Sequence, residues 1–237
     1  MAGHFQTDEV ILLGRTFDEY VGMFGLDEAT LRDNHILDAA SGVSSFCAEA
    51  SAQGYRVTAS DRIYTLSADE IERKCSRDLD NMIVQLAGIT QNYVWDFFPN
   101  LDALRAQREK AYCGFVTDYR QHGHSRYITT EYPNSGFADG QFDLALVSHF
   151  LFLYDEQLDY DFHRRTLLEL LRIAREVRLF PLVNMRTERA SAVAKLHTDP
   201  AFSAYDIRIV PVDYEFIRNS REMMVIRPAS FSPSLHS

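Results

Sequence analysis

The 237 residues include three cysteines, one tryptophan and eleven glycines, with no long apolar run and no basic cluster. Each shortage excludes something. Cys47, Cys75 and Cys113 lie far apart without CxxC spacing, so neither a zinc site nor a disulfide framework is expected, only reduced, buried thiols. His122, His124 and His163 share no metal-ligand spacing, and no metal is expected. Twenty-four Lys and Arg against 34 Asp and Glu give a formal net charge of -10, which works against binding a nucleic acid by counterion release. No apolar stretch approaches the ~18 residues of a membrane span. The start, MAGHFQTDEV, lacks a basic stretch followed by an apolar one. A cytoplasmic chain with no membrane partner is expected, as a monomer or a homodimer.

What is present is a globular composition, 46% hydrophobic and 24% charged, matching one domain over residues 1–237. Phe17, Tyr20, Val21 and Phe24 recur at helical spacing behind Thr16, with Gly25 as a stop, in an N-terminal helical region over about 8–30. Ile36 and Leu37 begin a strand, and Tyr55 to Ser60 form a second one ending at Asp61. Ser67-Ala68-Asp69-Glu70 is a capping-box pattern, followed by Ile71, Cys75, Leu79, Met82, Ile83 and Leu86 on one helix face. A second helix starts near Asn100, carries Leu101, Leu104, Phe115 and Tyr119, and stops before Gly123. Residues 65–126 exceed the dozen or so that a crossover needs and read as a helical insertion. Trp95, Phe97 and Phe98 in it are expected to pack against the sheet rather than line a pocket. Residues 127–130 and 142–147 follow as strands, then a helix from Asp155 to Val177 and a strand over 178–183. Two last strands, 206–212 and 223–227, are joined by a short polar turn.

The chemistry concentrates between His35 and Ile63. Ala39-Ala40-Ser41-Gly42 is a turn too small to block a ligand, and Ser44-Ser45 opens a helix whose first N–H groups favour an anionic group. Asp61 lies 23 residues after Asp38, where an acid accepts two hydrogen bonds from a ribose diol. A dinucleotide fingerprint wants three glycines, and only Gly42 is present among Ala40, Gly42 and Ser44, so a pyrophosphate is disfavoured.

The segment Asp38-Ala39-Ala40-Ser41-Gly42-Val43-Ser44-Ser45-Phe46 resembles the first motif of class I S-adenosylmethionine-dependent methyltransferases, hydrophobic-D-x-G-x-G-x-G/S-x-F. Ala40 replaces the first glycine, and its methyl group requires a negative φ. Phe137-Ala138-Asp139-Gly140-Gln141-Phe142-Asp143-Leu144 looks like the family's F-x-D-x-x-F-D-hydrophobic segment. The resemblance covers roughly residues 10–230. It implies an α/β, Rossmann-like fold with a seven-stranded, mostly parallel sheet, an antiparallel C-terminal strand pair and helices on both faces. It implies S-adenosyl-L-methionine as cofactor, with S-adenosyl-L-homocysteine as product.

The implied cofactor residues are Asp38, Ala40, Ser41, Gly42, Ser45, Asp61, Arg62, Ile63, Glu131, Tyr132, Ser148 and His149, with Glu131 on the adenine amino group and Asp38 on the loop amides or the methionine amine. Tyr64 follows Asp61 closely enough to approach adenine. Phe17, Tyr20 and Phe150 are the candidates for an acceptor, and His149 is the candidate general base. No Asn-Pro-Pro-Tyr signature follows strand four, against the branch that methylates base and glutamine amino groups. The acceptor is expected to be a small molecule. A cofactor-binding module without catalysis and an NAD(P)-dependent Rossmann oxidoreductase are the alternatives.

Overall fold

The computed structural model describes residues 4–7 and 10–229. Helix α1 (Phe17–Phe24) begins at Thr16, whose N–H donates to Glu19 Oε2 at 3.0 Å, and stops at Gly25, held at φ 56°. Helix α2 (Glu28–Asp33) follows on the Asp27 cap. The single helical region expected over about 8–30 is therefore two short helices, because Gly25 and Asp27 form a stop and a start two residues apart; residues 8 and 9 lie outside the described residues.

Strand β1 (His35–Ala39), helix α3 (Phe46–Ala52) and strand β2 (Arg56–Asp61) come next. Helices α4 (Ala68–Ala87) and α5 (Leu101–His122) occupy the insertion, capped by Ser67 accepting from Glu70 N and Asn100 accepting from Ala103 N. The rest is β3 (Tyr127–Thr129), β4 (Phe142–Ser148), α6 (Tyr160–Ile173), β5 (Ala174–Phe180), α7 (Ser191–Leu196), β6 (Tyr205–Pro211) and β7 (Glu222–Pro228).

Helix α6 is shorter than the expected 155–177. It starts on the Asp159 cap, and Ala174 already pairs with Phe142, so the ladder that aligns β5 with all of β4 overrides the local helical pattern. The fifth strand accordingly covers 174–180 and not 178–183, ending before Pro181, which has no N–H to donate. The link between β6 and β7 is no short polar turn. It buries Tyr214 and Phe216, which Phe97, Phe98 and Trp95 meet edge-on, so these aromatic residues of the insertion pack on the link rather than on the sheet as expected, and none of them lines the cavity. Of the cysteines, Cys47 and Cys75 are buried, whereas Cys113 lies on an exposed position of α5 and is not the buried thiol expected; all three are free.

The sheet order is β3-β2-β1-β4-β5-β7-β6, with the first five strands parallel and β7 antiparallel to both β5 and β6. This is the expected Rossmann-like methyltransferase architecture. Ile36, Leu144, Leu146 and Phe180 face a core shared with α1, α3, α4 and α5, while Leu37, Ala145, Val147 and Leu179 face one shared with α6 and α7. Burial on both faces explains why the central strands read as nearly continuous apolar runs. Among the described residues no helix is long and apolar enough to cross a membrane.

Candidate functional site

The order of the strands reverses between β1 and β4, and a crevice opens there at the carboxyl ends of the parallel strands. A cavity of about 570 Å³ fills it. Ala40, Ser41 and Gly42 line it after β1, Asp61, Arg62 and Ile63 after β2, Glu131 and Tyr132 after β3, and Ser148, His149 and Phe150 after β4. Tyr20 reaches it from α1. The structure thus brings most of the candidate residues to one wall, and it leaves Asp38, Ser45 and Phe17 out of the lining.

Those three departures have physical reasons. Asp38 lies inside β1, fully buried, where its Oδ1 accepts from the Tyr20 phenol at 2.8 Å and its Oδ2 has no partner. Ser45 turns its hydroxyl to Glu49 at 2.5 Å and its N–H to the Arg15 carbonyl at 3.0 Å. Phe17 stacks on Phe46 and Tyr55, where apolar burial outweighs exposure to a ligand. Tyr64 is likewise held away, in a cluster with Phe115, Tyr119 and Tyr127, with its hydroxyl on Ser41 Oγ and the Gly42 carbonyl.

The turn after β1 departs from expectation at two points. Ala40 stands at φ 51°, not at a negative value, so its methyl group carries a strain on the order of 1 kcal/mol where the motif has glycine. Two donors at the helix start are engaged: Ser45 N–H goes to Arg15 O, and Phe46 N–H to Ser44 Oγ. Upstream, Ser41 N–H donates to Ser60 O, Gly42 N–H to Asp61 Oδ2 at 2.9 Å, and Ser44 N–H to Ser41 O. At Gly42, φ is 57°, and the space a Cβ would take is open.

Asp61 accepts from Gly42 N–H on one oxygen and from Ile63 N–H at 2.9 Å on the other. Each carboxylate oxygen keeps a lone pair for a further donor. Burial raises its pKa against those two hydrogen bonds. Glu131 is exposed at the rim, and Tyr132 is fixed below it by a 2.8 Å bond between its hydroxyl and Ser60 Oγ.

His149 sits at φ 52°, its N–H bonded to the Phe180 carbonyl at 2.7 Å and its Nδ1 2.9 Å from Ser148 Oγ. Burial, with the Arg15 and Arg108 guanidinium groups nearby, holds its pKa well below the usual value, so the ring is neutral.

No protein-family model matches the chain. The uncharacterized protein MJ0045 of Methanocaldococcus jannaschii is 46% identical over 220 residues, covering 92% of this chain and 96% of that one. The chain belongs to its family. Among solved structures, PH1948 of Pyrococcus horikoshii, called a candidate RNA methyltransferase, shares 10% identity over 86% of this chain and 78% of its own, at a TM-score of 0.41. The bifunctional kinase-methyltransferase WbdD shares 13% over 89% of this chain and 38% of its own, at 0.40. Thermoplasma acidophilum protein 1320 shares 12% over 90% and 85%, at 0.38. Scores this low carry no argument about function, and the fold rests on the strand order.

Sequence reasoning missed the other wall. A strap over residues 10–15 crosses the cavity, tied by Leu12 N–H to Asp78 Oδ2 of α4 at 2.7 Å and by Ile11 N–H to the Tyr154 hydroxyl at 3.2 Å. It lies so close to the β1 turn that a Cβ at Gly14 would come within 2.3 Å of the Val43 carbonyl oxygen. Arg15 follows, its Nη1 on the Leu13 and Gly14 carbonyls and its Nε 3.9 Å from Glu19. The signal available was one cation after the apolar run Ile11-Leu12-Leu13.

Proposed function

We propose that this protein transfers a methyl group from S-adenosyl-L-methionine to a small-molecule acceptor. The observation that carries this is the turn after β1. The Ser41, Gly42, Ser44, Ser45 and Phe46 amides are engaged inside the protein, while Asp61 lines the cavity with a carboxylate. Such a site suits a ribosyl ligand and offers a pyrophosphate few backbone donors in this turn, which disfavours NAD(P).

The donor set fits the group in its parts. Asp61 would take the ribose diol, Glu131 the adenine amino group, and the open space before Gly42 the chain that joins them to sulfur. Arg15 supplies positive charge for the amino-acid carboxylate. When bound, S-adenosyl-L-methionine supplies an electrophilic methyl group on its sulfonium. The protein then has to align an acceptor with it, exclude water and take a proton where the acceptor has one to lose. Ile11, Leu13, Phe150, Leu153, Tyr154 and Phe162 form the apolar part of the cavity for that acceptor. The strap shields it from solvent. The neutral His149 ring is the group placed to receive a proton.

The test is calorimetric titration with S-adenosyl-L-methionine, S-adenosyl-L-homocysteine, NAD and NADP, using Asp61→Ala as the control. Micromolar binding of the two sulfur nucleotides alone, lost in Asp61→Ala, is the expected result. Binding of NAD or NADP instead would overturn the reading. Cofactor binding without turnover on a broad acceptor panel would favour a non-catalytic binding module, for which strained Ala40 is the structural reason.

A further inference from the structure

Strand β6 ends the sheet, and the hydrogen bonds at both ends of its ladder with β7 fix which of its residues face outward. Ala229 N–H donates to Ala204 O and Val212 N–H to Arg221 O, each at 3.0 Å, so the even-numbered residues of β6 bond to β7. The N–H and C=O groups of Tyr205, Ile207 and Ile209 therefore point away from the sheet, and they have no hydrogen-bond partner among the described residues. Pro211 follows with no N–H to offer and closes the row. The side chains of Tyr205 and Ile207 are half-buried, and that of Ile209 is 37% exposed. Such an edge is a template for a further strand.

The charges on the opposite face of β6 select the strand that fits. Glu176, Arg227 and Asp206 form a row of alternating sign across β5, β7 and β6: Arg227 Nη1 lies 3.6 Å from Glu176 Oε2, and Arg227 stands directly across the ladder from Asp206, its Nε 3.9 Å from Oδ2. Asp206 ends the row at the free edge. Within the chain, Arg208 Nε closes on Asp206 Oδ2 at 2.6 Å without the alignment of a hydrogen bond. A second copy laid antiparallel along the edge, with a two-fold axis at Ile207, sets each Asp206 opposite Arg208 of the other copy and extends the alternation. These positions exchange no backbone hydrogen bonds, so their side chains approach most closely. The same register pairs Ile207 with its own counterpart and Tyr205 with Ile209, which uses every outward N–H of the row. An axis at Asp206 or at Arg208 would set two like charges against each other. An axis at Ile209 would oppose Ile207 to Pro211, and one at Tyr205 would leave Ile209 unpaired.

We propose that β6 joins a second copy of this chain in an antiparallel two-fold pair centred on Ile207, held by three outward N–H groups from each copy and two Asp206 to Arg208 pairs. Strands β7 and β5 separate this edge from β4, so the cavity of each copy stays open.

Sedimentation equilibrium of the full-length protein over a micromolar concentration series tests this. The wild type is expected to be a dimer. Arg208→Asp and Asp206→Arg each set like charges across the axis, so each variant alone should show a dissociation constant raised about tenfold or more. An equimolar mixture of the two should dimerise again, because every Asp of one chain then faces an Arg of the other. Arg208 is exposed, so Arg208→Asp keeps the proposal testable should Asp206→Arg, placed beside Arg227, fail to fold. A monomeric wild type, whose edge is bare or open to a strand of a different protein, overturns the proposal. A dimer that survives unchanged in Arg208→Asp overturns it too, since that dimer uses another surface.

Discussion

Glu19 and Asp38 are both fully buried carboxylates, and each accepts a tyrosine hydroxyl at 2.8 Å, Tyr214 for one and Tyr20 for the other. Their fates diverge because one has a cation. Arg108 holds Glu19 with two hydrogen bonds of 2.8 and 2.7 Å, its own guanidinium lying 5.0 Å from the Phe98 ring. Burial pushes the Glu19 pKa up, but the charge and hydrogen bonds of Arg108 outweigh it, holding the value at about 2. Asp38 meets the same burial with only a phenol, and its pKa goes well above the usual carboxylate range. Burial alone does not decide what an acid does; its partner does. Glu19 joins α1, α5 and the β6–β7 link as a charged clamp, and Asp38 is a hydrogen-bonding group one phenol away from the cavity.

The hardest blow to this contrast is Arg108→Met. It leaves Glu19 buried with too little positive charge, and a loss of about 3–5 kcal/mol in urea unfolding is expected. Adding Glu19→Gln should recover part of it, since the uncompensated charge goes. If Arg108→Met costs no more than a surface substitution, the clamp is not what holds α1 to α5.

A smaller effect is expected at Asp38, and the pH dependence has opposite signs at the two acids. Glu19 titrates lower in the folded chain than its ordinary 4.5, so its contribution is present above that pH and lost as pH falls toward about 2. Asp38 titrates higher than its ordinary 3.8, so folding loses stability as pH rises above that value toward the folded pKa. Asp38→Asn removes this second penalty while keeping an acceptor for Tyr20. The variant should be as stable as the wild type or about 1 kcal/mol more stable at neutral pH. Urea unfolding across the acid and neutral range separates the two curves; a wild type whose stability climbs steadily to neutral pH, with Asp38→Asn no flatter, would contradict the assignment.

How far these roles were legible in the sequence follows from where their causes lie. Thr16 and Glu19 have capping-box spacing, a local pattern that accounts for the pair without Arg108, which lies 89 residues away and carried no mark. The strand ends at Gly42 and Asp61 were readable because small residues and acids at the ends of apolar runs have local causes, while Glu131 and His149, which line the same crevice, followed only from the resemblance. The start of β5 was not, since only its pairing with β4 takes Ala174 out of a helical pattern. The sign of φ at Ala40 and the strap at Gly14 likewise depend on two segments meeting in space. Asp38 was marked as important by its motif, but the motif could not say that Tyr20, from a different helix, stands between it and the cavity.

The smallest expected effect concerns Arg15, which belongs to both regions. It shares the Glu19 cluster, where two guanidinium groups face one carboxylate, and it also lines the cavity. The excess positive charge is felt at His149: burial lowers the pKa of that ring most, followed by Arg15 and then Arg108. Arg15→Leu removes one charge and keeps most of the apolar bulk. The His149 pKa should rise and stay below its ordinary 6.5, because burial, the largest cause, remains. An NMR titration of the ring measures it. A rise means the closed cluster biases the open cavity through charge, so that the clamp helps keep the base unprotonated; an unchanged value means that Glu19 already neutralises Arg15 and that burial alone sets the state of His149.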